Sequence, residues 1–189
     1  MPYTLSSLVK VLKEIAELGY DYVIIGDTVV YLELKSKKFD SDIDLFVTNT
    51  SPFMEEETIR SVAEERKWGF GFTDIGTPRL IINTSEGDVV VELYENIYDF
   101  YIPPEILSDA HKKKLRDIEV KLIHVEDYLL LKARAGAPED YEKLMDIIDL
   151  LNKRGYKVNQ RLLWRHLGYF SQDERNMIIT RLKELGLKL

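Results

Sequence analysis

Two carboxylates alternate along a short apolar segment of the chain, at a spacing that could hold a divalent cation. Asp42 and Asp44 lie in the sequence DIDLFV, and its alternation predicts a strand from Asp42 to Thr48. In a strand, residues two apart share one face and lie about 7 Å apart along the backbone. Two ionised carboxylates about 4 Å apart repel by about 1 kcal/mol in water and by more near a protein surface. Mg²⁺ would offset that repulsion, because it prefers oxygen ligands and keeps positions for water and substrate phosphates.

A third acidic side chain follows on a later strand, which the sequence DVVVELY predicts from Asp88 to Tyr94. Glu92 is flanked by apolar residues there, which is unusual for a position that is merely solvated. Placed beside Asp42 and Asp44, Glu92 would complete a three-carboxylate site. Such a site can hold two metal ions, one that activates an attacking oxygen and one that bridges phosphates. Asp88 competes with Glu92 for the role of third ligand, because both lie on the same predicted face.

A glycine turn precedes the acidic pair and could bind an anion. Residues 21–25 form an apolar run that predicts a buried strand, and Gly26 ends this run. Residues 28–34 predict a short helix, although a strand is also compatible with the pattern. If they are helical, backbone N–H groups at Gly26, Asp27 and Thr28 would face a phosphate group. A strand, a glycine turn, a helix and then an acidic strand form the layout that a nucleoside-triphosphate transferase requires.

This order of elements resembles the nucleotidyltransferase superfamily of polymerase-β type, over roughly residues 20–150. The family pattern is a glycine followed by Gly or Ser, then an Asp-x-Asp or Asp-x-Glu strand, then an acidic residue on a later strand. Gly26, Asp42, Asp44 and Glu92 fall on this pattern. The resemblance implies Mg²⁺-dependent nucleotidyl transfer, with the three acidic residues as catalytic residues and metal ligands. One of them would also assist deprotonation of the acceptor hydroxyl.

The segment VEDYLLLKARAGAPEDYEKLMDI resembles the helical part of the AbiEii-like and related prokaryotic branch, the minimal nucleotidyltransferases. In that branch a helix carries a lysine, and an aspartate follows near the start of the next helix. Lys132 and Asp140 match these two positions. By this resemblance both belong to the nucleotide site, with Lys132 as a charge clamp on the triphosphate that Gly26 and Thr28 would cradle. Alternatively, Lys132 extends out of a helix that packs on the core.

Position 27 departs from the family pattern, since Asp27 stands where Gly or Ser is expected. A carboxylate there would repel phosphate unless it points away or helps to bind metal. Thr28 could partly replace the missing hydroxyl. Lys38 and Ser41, in the polar link before the acidic strand, are further candidates for phosphate contact, although ordinary loop residues would look the same. The interval between the glycine turn and the acidic pair is also longer than the pattern has.

The remaining pattern predicts an α/β (α+β) fold, in which a small mixed sheet is flanked by helices and followed by a helical C-terminal part. We expect a nucleotidyltransferase domain over residues 1–124 and a helical part over residues 125–189 that packs on it. Further strands are predicted at 69–73, 79–83 and 118–123, the second forming a hairpin with 88–94 and the third at a sheet edge. Helices are predicted at 4–18, from Pro52 onward, and at 103–115, 125–135, 138–154, 159–167 and 171–187.

The composition excludes several classes of protein. The 189 residues carry a net charge of −7, which argues against duplex DNA as a partner. There is no run of about 18 apolar residues, so no membrane span is predicted. Cysteine is absent, so disulfides and thiolate metal sites are excluded. The charged, amphipathic N-terminus lacks the apolar block of a signal peptide, and we expect a cytoplasmic protein.

Together these observations predict a Mg²⁺-dependent nucleotidyltransferase that moves a nucleoside monophosphate from a nucleoside triphosphate to a protein or RNA acceptor. The alternative is a catalytically inactive protein of the same fold. It would act as a nucleotide-binding or protein-interaction module, for example with an antitoxin-like partner in a toxin–antitoxin pair. Asp27 and the binding of metal distinguish the two hypotheses.

Overall fold

The fold is taken from a computed structural model, which describes residues 2–98 and 100–189. In these residues the elements in chain order are β1 (Tyr3–Thr4), α1 (Leu5–Glu17), β2 (Tyr22–Ile25), α2 (Asp27–Glu33), β3 (Lys38–Phe39), β4 (Ile43–Val47), α3 (Glu56–Arg66), β5 (Gly69–Phe72), β6 (Pro78–Thr84), β7 (Gly87–Tyr94), α4 (Pro104–Ser108), β8 (His111–Leu115), β9 (Ile118–Leu122), α5 (Val125–Ala135), α6 (Pro138–Lys153), α7 (Gln160–Leu167) and α8 (Gln172–Glu184). This mixture of helices and strands confirms the predicted fold class. None of the helices in the described ranges has the length and apolar composition that crossing a membrane would need.

The described part of the chain divides into two compact units. The first comprises Met1–Tyr101 and Ala110–Leu122, and the second comprises Ile102–Asp109 and Ile123–Leu189. The first unit therefore contains all of the strands named above, and the second contains α4 to α8. The predicted boundary between residues 124 and 125 stays a prediction. The division found here falls close to it but assigns α4 to the second, helical unit.

The first unit is built on a mixed sheet whose order, for the described residues, is β5-β6-β7-β4-β2-β9-β8. Strand β4 runs parallel to β7 and antiparallel to β2, while β2 runs parallel to β9. The middle strands are largely apolar, as expected where both faces of a sheet are covered. Ile24, Leu45 and Leu93 are fully buried in three neighbouring strands. The strands predicted to carry the acidic residues and the glycine turn are therefore adjacent in the middle of this sheet.

A small second sheet, formed by β1 and β3, is not predicted from the sequence. Tyr3 pairs with Phe39 and Thr4 pairs with Lys38, and the rings of Tyr3 and Phe39 stack with their centroids 5.6 Å apart. Thr4 also caps α1, because its hydroxyl accepts the N–H of Ser6 at 3.2 Å. A strand of two residues is too short for alternation to reveal it, which is why the polar link reads as a loop.

The helix predicted from Pro52 onward begins later, at Glu56, so the predicted start is wrong. The hydroxyl of Ser51 accepts the N–H of Met54 at 3.1 Å, as a cap does, and donates to Glu95 at 2.8 Å. The same carboxylate oxygen accepts the N–H of Phe53 at 2.9 Å. Ser51 therefore caps a turn over residues 52–55, and the helix begins only after this turn.

The helix predicted over residues 103–115 is wrong in its second half. Helix α4 ends at Ser108, and the residues that follow form β8, which pairs with β9 in an antiparallel hairpin. Nε2 of His111 lies 3.0 Å from Oε1 of Glu33, and Nζ of Lys113 donates to the same oxygen at 2.8 Å. His111 and Lys113 both reach Glu33 because residues two apart in a strand have their side chains on the same face. The strand predicted at a sheet edge, β9, consequently lies between β2 and β8 in the described sheet, so its predicted edge position is also wrong.

The second unit has a buried ionic centre at His166. The side chains of His166 and Asp127 are fully buried, with Nδ1 of the histidine 2.5 Å from Oδ1 of the aspartate. Nε2 of His166 lies 2.9 Å from Oδ2 of Asp109, which also bonds to Arg165. Burial lowers the pKa of His166, but the hydrogen bonds and charges of the carboxylates outweigh burial and raise this pKa above its usual value. The hydrogen bonds of the imidazole therefore tie α7 to α5 and to the end of α4.

We expect His166→Asn to lower the free energy of unfolding by about 3 kcal/mol near pH 6, because Asp127 is left charged and buried without its cation. Folding raises the pKa of His166, so the stabilisation is complete below the unfolded pKa of about 6.5 and is lost as the pH rises through the folded pKa. Denaturant unfolding should therefore show a smaller difference between wild type and variant at about pH 9 than at about pH 6. A difference that grows with pH would contradict this account.

Candidate active site

The register of the central strands places Asp44 beside Glu92. The two residues are paired across the parallel strands β4 and β7, so their side chains leave the same face of the sheet. Asp42 precedes β4 by one residue and is exposed, Asp44 is half-buried and Glu92 is 7% exposed. The competing candidate, Asp88, is exposed and lies opposite Asn83 near the hairpin turn. Of the two candidates for the third acidic position, Glu92 is therefore the neighbour of Asp44.

The backbone at Gly26 lies directly against the acidic strand. Strand β2 is antiparallel to β4, with Ile25 opposite Asp44. The chain then turns at Gly26 with φ +68° and ψ −163°, a conformation essentially confined to glycine. A Cβ at position 26 would lie 1.8 Å from Oδ2 of Asp44, far inside contact distance. Glycine is thus required both for the backbone conformation and for the space that the Asp44 carboxylate fills.

Glu92 is held by two residues that the sequence analysis does not identify. Arg79 lies opposite Glu92 in the hairpin of β6 and β7, and its Nε donates to Oε1 at 2.8 Å while its Nη2 donates to the same oxygen. The hydroxyl of Tyr94 donates to Oε2. Burial lowers the pKa of Arg79, but the hydrogen bonds and charge of Glu92 and the charge of Asp42 raise this pKa overall. Both oxygens of the Glu92 carboxylate are therefore engaged.

The charges of the acidic residues also affect the pKa of the Tyr94 hydroxyl. Burial raises the pKa of Tyr94, and the charge of Asp44 and the hydrogen bond to Glu92 raise it further. Tyr94 therefore keeps its proton and remains a donor to Glu92. Its ring stacks on that of Phe100, with centroids 4.8 Å apart, which fixes the direction of the hydroxyl.

A second tyrosine, Tyr3, supports the backbone at the start of the acidic strand. Its hydroxyl donates to the carbonyl oxygen of Ser41 at 3.0 Å, and the hydroxyl of Thr28 donates to the carbonyl oxygen of Asp42 at 3.3 Å. Burial raises the pKa of Tyr3, the hydrogen bond with Thr28 opposes this, and the charges of Asp44 and Asp42 add to the rise. Thr28 is fully buried, so its hydroxyl serves the protein backbone. Phosphate contacts of Thr28 and Ser41 stay predictions.

Asp27, the residue that departs from the family pattern, begins α2 and is buried. Its side chain is 2% exposed, and both carboxylate oxygens are shielded from solvent. A ligand that approaches Gly26 from solvent therefore does not meet the Asp27 carboxylate at the protein surface. Direct contact of Asp27 with a nucleotide stays a prediction.

The other predicted nucleotide contacts lie on separate elements. Lys38 is exposed on β3, where it pairs with Thr4. Lys132 on α5 and Asp140 on α6 contact each other within the second unit, with Nζ donating to Oδ1 at 2.7 Å. The two side chains are 26% and 22% exposed, so this ion pair is partly accessible to solvent. Contact of Lys38, Lys132 and Asp140 with a nucleotide stays a prediction.

The donors at Asp42 and Asp44 fit the preferences of Mg²⁺. This ion is usually held by one or two carboxylates together with substrate phosphates and water. Glu92 differs from the pair, because its oxygens already accept hydrogen bonds from Arg79 and Tyr94. Among the described residues, no group of three or more His, Asp or Glu side chains is arranged to hold a metal ion by itself. Metal binding by Asp42, Asp44 and Glu92 stays a prediction, and at Glu92 a metal ion would lie close to the guanidinium of Arg79.

The fold of the chain resembles that of a solved nucleotidyltransferase-like structure. The chain is similar in fold to the crystal structure of an antigenic nucleotidyltransferase-like protein from Paracoccidioides brasiliensis, with a TM-score of 0.57 and 19% identity over 97% of this chain and 91% of that chain. It also aligns with the solution structure of the antibiotic-resistance factor ANT(2'')-Ia, with a TM-score of 0.43 and 12% identity over 96% of this chain and 84% of that chain.

The chain belongs to the family described as nucleotidyl transferase of unknown function (DUF2204), whose family model matches residues 4–184. No curated protein matches the chain. Membership of a nucleotidyltransferase family confirms the superfamily that the sequence motifs predict. The AbiEii-like branch, and with it an antitoxin-like partner, stay predictions.

We expect Gly26→Ala to lower the free energy of unfolding by about 3 kcal/mol or more, because the new Cβ meets the Asp44 carboxylate and the backbone is strained. Gly19→Ala is the matched control in the same unit. Gly19 has a φ of +86°, but a Cβ there meets nothing within 4 Å, so we expect a loss of about 1 kcal/mol. Urea unfolding of the two variants measures the difference, and equal losses would contradict the close contact between Gly26 and Asp44.

Proposed function

We propose that this protein transfers a nucleoside monophosphate from a nucleoside triphosphate to a protein or RNA acceptor, with Mg²⁺. The observation that carries the proposal is the contact between Gly26 and Asp44. A triphosphate at the turn and a cation at Asp44 would share one small volume, as a complex of metal and triphosphate requires. Membership of a nucleotidyltransferase family supports the same reaction class.

In this proposal Asp42 and Asp44 hold Mg²⁺ together with phosphate oxygens of the substrate. When bound, the ion neutralises charge on the phosphates and orients them. An acceptor oxygen attacks the α-phosphorus, a new P–O bond forms, the bond to the β-phosphate bridging oxygen breaks, and pyrophosphate leaves with the bonding electrons. The acceptor proton passes to a carboxylate. We assign this role to Asp42, because it is the most exposed of the acidic residues of the site.

Arg79 limits the repulsion that such a cluster of acidic residues would otherwise suffer. Two unit charges about 4 Å apart near a protein surface interact with about 4 kcal/mol. Arg79 compensates the charge of Glu92, although its side chain is 34% exposed and solvent screens the pair. The net field at the site remains negative, which attracts a divalent cation and, through it, an anionic triphosphate.

A second candidate is a nucleotide-binding module that does not catalyse transfer. The observation that favours it is the pairing of Glu92 with Arg79 and Tyr94, since a two-metal reaction would need that carboxylate as a ligand. Both candidates require a nucleotide and a cation at the same site. They differ in whether label from the nucleotide becomes covalently attached to an acceptor.

Incubation of the protein with α-labelled nucleoside triphosphates, Mg²⁺ and either RNA or the proteins of a cell extract should yield labelled macromolecules on denaturing gels. We expect Asp44→Asn to lower the rate of labelling by more than about 100-fold. The variant loses a metal ligand, and even the groups that orient metal ligands contribute about 10–100-fold.

Asp88→Asn is the matched control, because it removes the same charge from an exposed position on the same strand as Glu92. It should label acceptors at the wild-type rate. Wild-type labelling by the double variant Asp42→Asn/Asp44→Asn would contradict the proposed site. Nucleotide binding without labelling would support the second candidate, and the absence of both would overturn both candidates.

A further inference from the structure

Both oxygens of the third acidic side chain of the site accept hydrogen bonds from neighbouring side chains. In the part of the chain that the structure describes, Glu92 is 7% exposed, and its Oε1 accepts from both Nε and Nη2 of Arg79. Its Oε2 accepts from the hydroxyl of Tyr94. These bonds use three of the about four lone-pair positions of the carboxylate. A cation at the remaining position, on Oε2, would lie close to the guanidinium of Arg79, so like charges would repel.

We propose that Arg79 fills the place of a second metal ion at Glu92, so that this protein binds a single divalent cation per chain, at Asp42 and Asp44. Arg79 acts as a positioning residue in this arrangement, because it keeps Glu92 out of the metal coordination. The inference rests on the metal role in the proposed function. It does not depend on whether the protein completes nucleotidyl transfer.

The balance of charge in the site favours one divalent ion over two. Asp42, Asp44 and Glu92 carry three negative charges, and the guanidinium of Arg79 carries one positive charge. These four side chains together carry a charge of −2, which equals in magnitude the charge of one divalent cation. Tyr94 does not change this balance, because it is the hydrogen-bond donor to Oε2 of Glu92.

The position of Arg79 is set by the backbone. Arg79 and Glu92 face each other in an antiparallel ladder that continues through Asn83 and Asp88 to the hairpin turn. The side chains of directly opposite residues in such a ladder lie on the same face of the sheet, with their Cβ atoms about 5 Å apart. The ion pair therefore forms whenever β6 and β7 pair, before any ligand arrives.

The stoichiometry of Mn²⁺ binding tests this inference, with the free metal measured by electron paramagnetic resonance and no nucleotide present. We expect wild type to bind about one Mn²⁺ per chain, and Arg79→Met to bind about two, because Glu92 then becomes available as a ligand. Arg79→Lys keeps the positive charge and should remain at about one. The double variant Arg79→Met/Glu92→Gln should return to about one, which assigns the added site to Glu92.

Wild-type binding of about two Mn²⁺ that falls to about one in Glu92→Gln would overturn the inference, as would a stoichiometry of about one in folded Arg79→Met. If Arg79→Met does not fold, Glu92→Gln alone decides, since unchanged binding supports the inference and reduced binding contradicts it. The absence of Mn²⁺ binding by wild type overturns it as well. Failure to label an acceptor, with one Mn²⁺ bound per chain, would refute the proposed transfer and leave this inference standing.

Discussion

The carboxylate of Asp44 fills the space that any side chain at position 26 would need, and the rest of the site follows from this contact. It requires β2 and β4 to be antiparallel neighbours with Ile25 opposite Asp44. It requires the chain to leave β2 through a conformation that glycine alone adopts readily. Helix α2 then starts at once, and Thr28 within it supports the carbonyl of Asp42. The turn and the acidic pair are therefore positioned together by the same two strands.

The same sheet also determines how the acidic charges are balanced. Glu92 is almost fully buried, and a buried carboxylate is costly unless it is paired and hydrogen-bonded. Arg79 lies opposite Glu92 in the β6–β7 hairpin and bonds to Oε1, and the hydroxyl of Tyr94 donates to Oε2. In the helical unit, the buried carboxylate of Asp127 is likewise paired, because it forms a hydrogen bond with the imidazole of His166. In both units a buried acidic side chain thus has its cation on a neighbouring element, which makes each pair a condition of the local fold.

The sequence alone predicts the local features of the site better than its long-range contacts. The spacing of Asp42 and Asp44 and the position of Gly26 reveal the acidic strand and the turn, because both depend on residues close in sequence. The sequence also contains enough information to predict that Arg79 is the partner of Glu92. The hairpin between β6 and β7 is predicted from its turn, and counting pairs outward from that turn puts Arg79 opposite Glu92. The contact between Gly26 and Asp44 needs the pairing of β2 with β4 and its register, which periodicity does not contain. The strand β8 was missed because its lysines suit an exposed helix as well as a sheet edge.

Paramagnetic broadening in backbone amide spectra tests most directly the claim that Gly26 and the acidic pair form one cation site. Small additions of Mn²⁺ should broaden first the amide signals of Gly26, Asp27 and Asp44, since these residues surround the proposed ion. The signal of Ser85, in the turn at the far end of the hairpin, should broaden later in the titration. Earlier broadening anywhere else, with the signal of Gly26 unchanged, would contradict the account.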